Sequence, residues 1–239
     1  MPGIYRKNGD LGEKPPFAFR TITVLSRSWY GSGSLLIPSN LAILSLAKTS
    51  SMPTTIAQRL LRVDEYVRMI EVGILGEDDR VELLAGKLIE MSPSGTRHAA
   101  TVKWLNQFFT ELLGNKVLMS IQDPIELGKH SLPEPDVALL RPTDNFYVDT
   151  YPRAADCLLV IEVADSSYDK DREVKTQLYA EAGIPEYWLV NLNTDQLEVF
   201  RQPEKGLYQE QLILRGEEEV VLSDLDLRLP AKNIFVPQA

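Results

Sequence analysis

The chain has 239 residues, of which 44% are apolar and 25% charged, so it can bury the core of one full domain and is not disordered as a whole. Its formal net charge of −9 argues against a general nucleic-acid-binding protein, which needs basic surface to neutralise phosphates. The single cysteine excludes an internal disulfide, and one cysteine with two histidines argues against a zinc cluster.

The first 51 residues differ in composition from the rest. They are rich in Pro, Gly and Ser and carry six basic residues against two acidic ones, so this segment is +4 and the remainder −13. We expect residues 1–51 to be disordered or loosely held, or a mis-assigned extension, because Met52 followed by Pro53 resembles a natural start; the domain is then 52–239. Residues 35–47 are too short to span a bilayer, so we expect no membrane association and a cytoplasmic location.

Two helices and a hairpin are predicted in the first half of this domain. Apolar residues recur at helical spacing from Val63 onwards, and Gly73 ends that pattern. Residues 80–91 are typical of two strands joined by a tight turn at Ala85 and Gly86. Residues 96–113 then predict a long amphipathic helix that stops at Gly114.

The second half is typical of an α/β fold. Strands are predicted at residues 116–127, 131–140, 157–163 and 186–190, because short apolar runs bounded by Pro, Asp and Ser suit a covered sheet. A helix over residues 171–182 would link two parallel strands. The predicted fold is a mixed central sheet flanked by the helices that begin at Thr96 and Asp171, with strands 116–127, 135–140, 158–163 and 187–192. Segments 197–201, 208–214 and 219–222 predict a C-terminal β-meander.

Two carboxylates lie at or inside the apolar runs of this predicted sheet. Asp136 directly precedes Val137, and Glu162 lies within the run of residues 157–163. A buried carboxylate is costly unless positive charge meets it, and a divalent ion is the usual solution where two carboxylates converge. The sequence therefore predicts a metal site formed by Asp136 and Glu162.

The order of these residues resembles the PD-(D/E)XK nuclease superfamily. Within it, the chain resembles a bacterial family of restriction endonuclease-like proteins, formerly a domain of unknown function. In that family Glu-Val-x-x-Ser replaces Glu-x-Lys, and the lysine follows on the next helix. Residues 162–166 read Glu-Val-Ala-Asp-Ser, and the later fixed positions are matched by Asp171, Lys175, Tyr179 and the residues Gly-Ile-Pro-Glu-Tyr-Trp at 183–188. The resemblance extends over about residues 61 to 235.

The resemblance implies a restriction-endonuclease-like fold and a metal-dependent endonuclease that hydrolyses phosphodiester bonds in DNA. It implies Mg²⁺, with Mn²⁺ as a substitute, held by Asp136, Glu162 and the main-chain carbonyl of Val163. Lys175 would orient or deprotonate the attacking water, or stabilise the pentacovalent phosphate. A metal ion and solvent-excluding walls near Lys175 can lower its pKa, which would suit the deprotonating role.

The lysine also has a structural alternative. Asp171 and Lys175 are spaced i,i+4 on one helix, and such a surface pair is worth about 0.3 kcal/mol. Helical spacing places Asp171, Lys175 and Tyr179 on one stripe. If that stripe borders the site, Lys175 can both pair with Asp171 and take part in catalysis. The matched family positions make Ser166, Asp171 and Tyr179 accessory candidates.

Other candidates carry alternatives of their own. Glu82 is either a third acidic group at the metal or an exposed residue on the polar face of a strand. His98 either faces the site or is an ordinary surface or core imidazole. The aromatic-rich loop at residues 143–152 either stacks on bases or packs on the domain. Cys157 begins an apolar run, which predicts a buried small hydrophobe rather than a nucleophile.

Three function classes remain open at this point. The first is a metal-dependent DNA endonuclease, favoured by the carboxylate pair with a lysine. The second, favoured by the acidic balance, is a catalytically weak scaffold of the same fold that binds nucleic acid or a partner protein. The third is a metal-dependent hydrolase of a different phosphoester. A homodimer is also expected, because cutting both strands of DNA takes two sites and two-fold symmetry matches that of the duplex.

Overall fold

The computed structural model of the chain describes residues 58–76 and 78–237; the expectation for residues 1–51 lies outside them. The helices and strands are α1 (Val63–Glu71), β1 (Val81–Leu84), β2 (Lys87–Glu90), α2 (Thr96–Leu113), β3 (Leu118–Ser120), β4 (Val137–Leu140), β5 (Cys157–Ala164), α3 (Tyr168–Lys170), α4 (Thr176–Ala182), β6 (Glu186–Asn191), β7 (Gln196–Glu204), β8 (Leu207–Leu214), β9 (Glu219–Leu222) and β10 (Leu227–Pro230). A π-helical turn, Asp171–Lys175, joins α3 to α4, and residues 168–182 together are called the lysine helix below. None of the described helices is long and apolar enough to cross a membrane.

Six strands form one central sheet in the order β3-β4-β5-β6-β7-β8. β5 and β6 are parallel, whereas the other neighbouring pairs are antiparallel, so the sheet is mixed. The lysine helix connects β5 to β6, because parallel strands need a crossover that a tight hairpin cannot provide. The predicted α/β fold and its βαβ connection are confirmed.

The predicted strand at residues 116–127 is wrong in length, since only β3 is regular there. Beyond β3 the backbone turns at Gln122, which has φ +55°. The residues after Gln122 pair irregularly with the segment before β4. For example, the Ile125 N–H donates to the carbonyl of Pro133 at 2.9 Å. Pro124 and Pro133 have no backbone N–H, so neither can donate to a regular ladder. The same irregularity shortens the predicted strand at residues 131–140 to β4.

The predicted C-terminal meander divides between two sheets. β7 pairs with β6 and β8 pairs with β7, so both extend the central sheet. β9 instead pairs with β10 in a separate antiparallel ribbon. Alternating apolar residues identify strands, but they do not identify the partners of those strands.

Helices cover both faces of the central sheet, as alternate residues of β5 show. Ile161 and Val163 lie in the apolar cluster that includes α2. Val160 and Ala164 lie in the cluster that includes the lysine helix. Because successive side chains of a strand point to opposite faces, Glu162 shares the second face and points toward the lysine helix.

The hairpin of β1 and β2 has a turn that requires glycine. Ala85 and Gly86 have φ of +47° and +76°, the left-handed conformations of a type I′ turn. A Cβ atom at position 86 would lie 2.5 Å from the Cβ of Leu60, so glycine lets the chain before α1 cross the turn. A backbone bridge between Leu83 and Leu132 then joins the hairpin to the segment before β4.

In the aromatic-rich loop at residues 143–152, Tyr147 packs on the domain and Phe146 is exposed. The Tyr147 hydroxyl donates to the carbonyl of Arg141 at 2.8 Å, and its half-buried ring packs against the domain. Phe146 is 69% exposed. Cys157, the first residue of β5, is buried as predicted.

Candidate active site

The two carboxylates predicted to bind metal lie opposite each other on neighbouring strands. In the antiparallel pair β4 and β5, Val137 is opposite Ile161, and continuing this register by one residue places Asp136 opposite Glu162. Opposite residues of such a ladder share a face and have Cα atoms roughly 4.5–5.5 Å apart. Both residues are buried, with exposed fractions of 8% and 3%. The fold therefore brings the predicted pair together.

Three donors hold Asp136 through both of its carboxylate oxygens. The Val163 N–H donates to Oδ2 at 2.9 Å, and His98 Nε2 lies 3.0 Å from the same oxygen. Gln122 Nε2 donates to Oδ1 at 3.2 Å. The hydrogen bond to Asp136 is the main cause of a raised pKa of His98. Of the two alternatives for His98, the structure shows the one that faces the site.

Glu162 accepts two hydrogen bonds on one oxygen. Lys175 Nζ at 2.8 Å and the Tyr179 hydroxyl at 2.7 Å both donate to Oε1. No residue that the structure describes donates to Oε2. Burial raises the pKa of Glu162 to about 8, although Lys175 opposes the rise, and nearby carboxylates add to it. Burial is therefore the main cause of the raised pKa, and the charge of Lys175 does not offset it.

The lysine helix turns Lys175 inward through its π-helical segment, an uncommon form that is frequent at functional sites. Asp171, Lys175 and Tyr179 are all buried, whereas Val174 is 48% exposed. The stripe predicted from helical spacing therefore faces the site. The alternative of an exposed surface pair for Lys175 and Asp171 is wrong.

Lys175 lies among three carboxylates. Its Nζ is 2.8 Å from Glu162 Oε1, 3.1 Å from Glu82 Oε2 and 3.9 Å from Asp171 Oδ1. Burial by itself lowers the pKa of Lys175, but the carboxylates outweigh burial and the net pKa is raised. Neighbouring negative charge thus favours the ammonium form of Lys175 in this arrangement, and the lowered pKa expected beside a bound metal ion stays a prediction.

Glu82 belongs to the same cluster. Its exposed fraction is 0%, and its two oxygens lie 3.0 Å from Lys170 Nζ and 3.1 Å from Lys175 Nζ. The alternative of an exposed position on a polar strand face is wrong, because β1 lies beside the lysine helix. A carboxylate buried this completely is stable only when cations or donors compensate it.

Comparison with known proteins identifies the family. A sequence profile of the Uma2 family, described as "Putative restriction endonuclease", matches residues 63–231. The chain belongs to the Uma2 family.

One solved structure agrees with this fold, and a second is similar over a shorter part of the chain. A crystal structure of a putative nuclease belonging to DUF820 from Anabaena variabilis is similar with a TM-score of 0.59 and 17% identity, covering 73% of this chain and 97% of that one. The type IIG restriction endonuclease BpuSI is similar over 55% of this chain and 15% of its own, with a TM-score of 0.34 and 18% identity. No curated protein matches the chain significantly. The family and the DUF820 structure show a restriction-endonuclease-like, nuclease-like fold.

Three residues that hold charged side chains of this Uma2 site were not predicted from the sequence. Gln122 reaches Asp136 from an irregular turn, and no motif marks it. Lys170 contacts the site because the lysine helix begins at residue 168, earlier than predicted. Ser167 Oγ donates to Asp171 Oδ2 at 2.5 Å, and its position before a helix start is a signal that could have found it. The predicted Ser166 lines the cleft but makes no side-chain hydrogen bond to a described residue.

Negative charge exceeds positive charge in the cleft of this Uma2 chain. Six acidic residues line it against three basic ones, namely Glu82, Glu134, Asp136, Glu162, Asp165 and Asp171 against Arg80, Lys170 and Lys175. Within the described part of the chain, no group of three or more His, Cys, Asp or Glu side chains is arranged to hold a metal ion. Asp136 and Glu162 instead offer two carboxylates, which fit Mg²⁺ because that ion binds few carboxylates and keeps several waters.

A second cavity, of about 740 Å³, lies between α2 and the C-terminal segment. Its walls include Trp104, Phe108 and Phe235, and it shares no lining residue with the acidic cleft. The charged cluster around Lys175 therefore marks the acidic cleft as the candidate for chemistry.

Proposed function

We propose that this protein is a metal-dependent endonuclease that hydrolyses phosphodiester bonds in DNA. The observation that carries the proposal is Asp136 opposite Glu162 on one face of the sheet, with Lys175 Nζ 2.8 Å from Glu162. Phosphodiester hydrolysis needs charge neutralisation at the phosphate and a stabilised leaving group. Membership of the Uma2 family and the nuclease-like fold support the proposal.

Mg²⁺, or Mn²⁺ in its place, is the ion that these residues would hold. Its protein ligands would be Asp136, Glu162 and the main-chain carbonyl of Val163, with water completing the coordination. When bound, the ion would supply positive charge for the phosphate and acidify water. The chain prepares this site by fixing Asp136 through the Val163 N–H and Gln122.

Lys175 acts as an ammonium group in this proposal. The surrounding carboxylates raise its pKa and favour the ammonium form, which would orient the attacking water or stabilise charge on the pentacovalent phosphate. Glu82 holds the ammonium from one side, and Glu162 holds it from the other. The Tyr179 hydroxyl fixes the oxygen of Glu162 that Lys175 contacts.

Nicking of supercoiled plasmid tests the proposal. Wild-type protein is expected to nick with Mg²⁺ and not with EDTA, and Glu162→Gln should lower the rate on the order of 100-fold or more, because charge stabilisation at the reacting phosphate is lost. Glu173→Gln is the matched control, since Glu173 is exposed on the lysine helix; it should nick like wild type. Wild-type protein that nicks no plasmid with Mg²⁺ or Mn²⁺ contradicts the proposal.

A catalytically weak scaffold that binds nucleic acid or a protein is the second candidate. The acidic surplus of the cleft and the ion pairs that already engage Lys175 favour it, because both oppose the approach of a polyanion. Binding of DNA or of a partner by wild-type protein that does not nick would support this candidate.

A further inference from the structure

Arg80 lies at the mouth of the acidic cleft, and we infer that it binds a phosphate of the nucleic-acid strand beside the bond that is cut. The inference rests on the proposed nuclease function and adds a substrate-binding residue to it. The chemistry recognised is the phosphodiester backbone, which is independent of base sequence.

The β1–β2 hairpin brings Arg80 to this position. The pairing of the hairpin continues through Arg80, whose carbonyl accepts a hydrogen bond from the Met91 N–H at 2.8 Å. Glu82, two residues further on, lines the same cleft and is fully buried, whereas Arg80 is exposed. The strand therefore runs from solvent at Arg80 to the interior of the site at Glu82.

Arg80 differs from the other two cations of the cleft in its partners. Lys175 pairs with Glu82 and Glu162, and Lys170 pairs with Glu82 at 3.0 Å. The Arg80 guanidinium lies within 4 Å of no carboxylate of residues 58–76 and 78–237, and its charge acts at longer range on Glu134. A guanidinium at the rim of the cleft presents a fork of donors that matches the geometry of a phosphate.

A polyanionic substrate needs such a cation here. Six carboxylates line the cleft and would repel a phosphate backbone at short range. Lys170 and Lys175 already form ion pairs with carboxylates. They therefore offset negative charge inside the cleft and not at its entrance. Arg80 is placed to attract and position the strand before the scissile phosphate reaches Lys175.

Binding of a short fluorescein-labelled DNA duplex to the full chain tests this assignment. Anisotropy is measured in Ca²⁺ between roughly 50 and 200 mM NaCl, and gels confirm that the duplex stays intact. Arg80→Ala should raise Kd about 5- to 10-fold and lower the slope of log K against log salt by about 0.9, the value for one phosphate contact. Arg80→Lys should retain most of the slope. Lys87→Ala is the matched control, because Lys87 is exposed on β2 outside the cleft.

The outcomes separate this inference from the proposed function. Equal Kd and salt slope in wild type and Arg80→Ala overturn the assignment. An equal loss in Lys87→Ala also overturns it, because the effect would then come from net charge. Wild-type protein that binds the duplex but does not nick plasmid contradicts the nuclease, and Arg80 is still judged by binding. Wild-type protein that binds no DNA contradicts both.

Discussion

Lys175 and the carboxylates around it form a buried cluster in which each charge depends on the others. Taking ions out of water is costly, so a buried pair adds little stability by itself, whereas removing one partner leaves an uncompensated charge. Glu82 and Glu162 are both more than nine-tenths buried and both contact Lys175. The lysine is therefore required by the fold as well as by the proposed chemistry.

Replacing this lysine should destabilise the protein. Lys175→Met is expected to lower the free energy of unfolding by about 3–5 kcal/mol, because it strands buried carboxylates. Urea unfolding at neutral pH measures the change. Lys103→Met, on the exposed side of α2, is the control and should stay within about 0.5 kcal/mol of wild type. A similarly small loss in Lys175→Met would mean that the cluster is open to water.

Metal removal should distinguish Glu162 from an ordinary ion-pair partner. In EDTA, Glu162→Gln should melt at the same temperature as wild type or higher, because burial disfavours the ionised form of Glu162 and glutamine keeps an oxygen for Lys175 and Tyr179. Adding ~10 mM Mg²⁺ should raise Tm of wild type through binding to the folded state and raise Tm of the variant much less. Equal metal stabilisation of both proteins would show that Glu162 is not a ligand. Glu173→Gln should respond like wild type.

The β1–β2 hairpin illustrates how an element positions the site, because its turn fixes where Glu82 enters the cleft. Gly86→Ala should destabilise the protein both by the left-handed φ of +76° and by the 2.5 Å approach to Leu60. Gly128→Ala separates the two effects, since Gly128 has φ +75° and nothing within 4 Å of an added Cβ. The left-handed conformation alone costs about 1–2 kcal/mol. Thermal melts should show a clearly larger loss for Gly86→Ala, and equal losses would contradict the close approach.

Strand β5 carries Cys157 in the apolar interior, which gives a pH-dependent prediction. Burial raises the pKa of the Cys157 thiol to about 12, from an ordinary value of 9.0. The folded protein thus keeps the thiol proton of Cys157 at pH values where the unfolded chain loses it. The stability that the buried neutral thiol contributes is therefore fully present below pH 9 and is lost as the pH rises toward 12. At pH 8, iodoacetamide should label native protein on the order of 100-fold more slowly than protein in urea, because the thiolate reacts. Equally fast labelling would place this thiol at the surface.

Assembly is the prediction at the scale of the whole molecule. A homodimer is expected if the protein cuts both strands of a duplex, because two sites related by two-fold symmetry match the symmetry of DNA. Sedimentation velocity at micromolar protein, with and without a short duplex, should show twice the mass of one chain in at least one condition. A single-chain mass in both conditions contradicts the dimer and agrees with an enzyme that only nicks.

The two carboxylates and the lysine are the part of the candidate site that could be predicted from the sequence. Asp136 and Glu162 were predicted as a pair because burying an acidic residue at an apolar run is costly, and the family pattern added Lys175. The helix from Thr96 to Leu113 was predicted to the residue, since its apolar spacing and the following glycine are local signals. The strand predicted at residues 116–127 was too long, because its second half pairs irregularly with the segment before β4, which contains Pro133 and Pro135.

The sequence by itself determined the α/β class, most helices and strands and the candidate acidic pair, because helical and strand periodicity and the cost of burying charge are properties of short stretches. Only the tertiary structure decided that Glu82 lies between Lys170 and Lys175, that Gln122 reaches Asp136, and that three carboxylates surround Lys175. The contact of Lys170 with Glu82 joins residues 88 positions apart. No local pattern specifies such a contact, because it exists only after the sheet, the hairpin and the lysine helix have packed together.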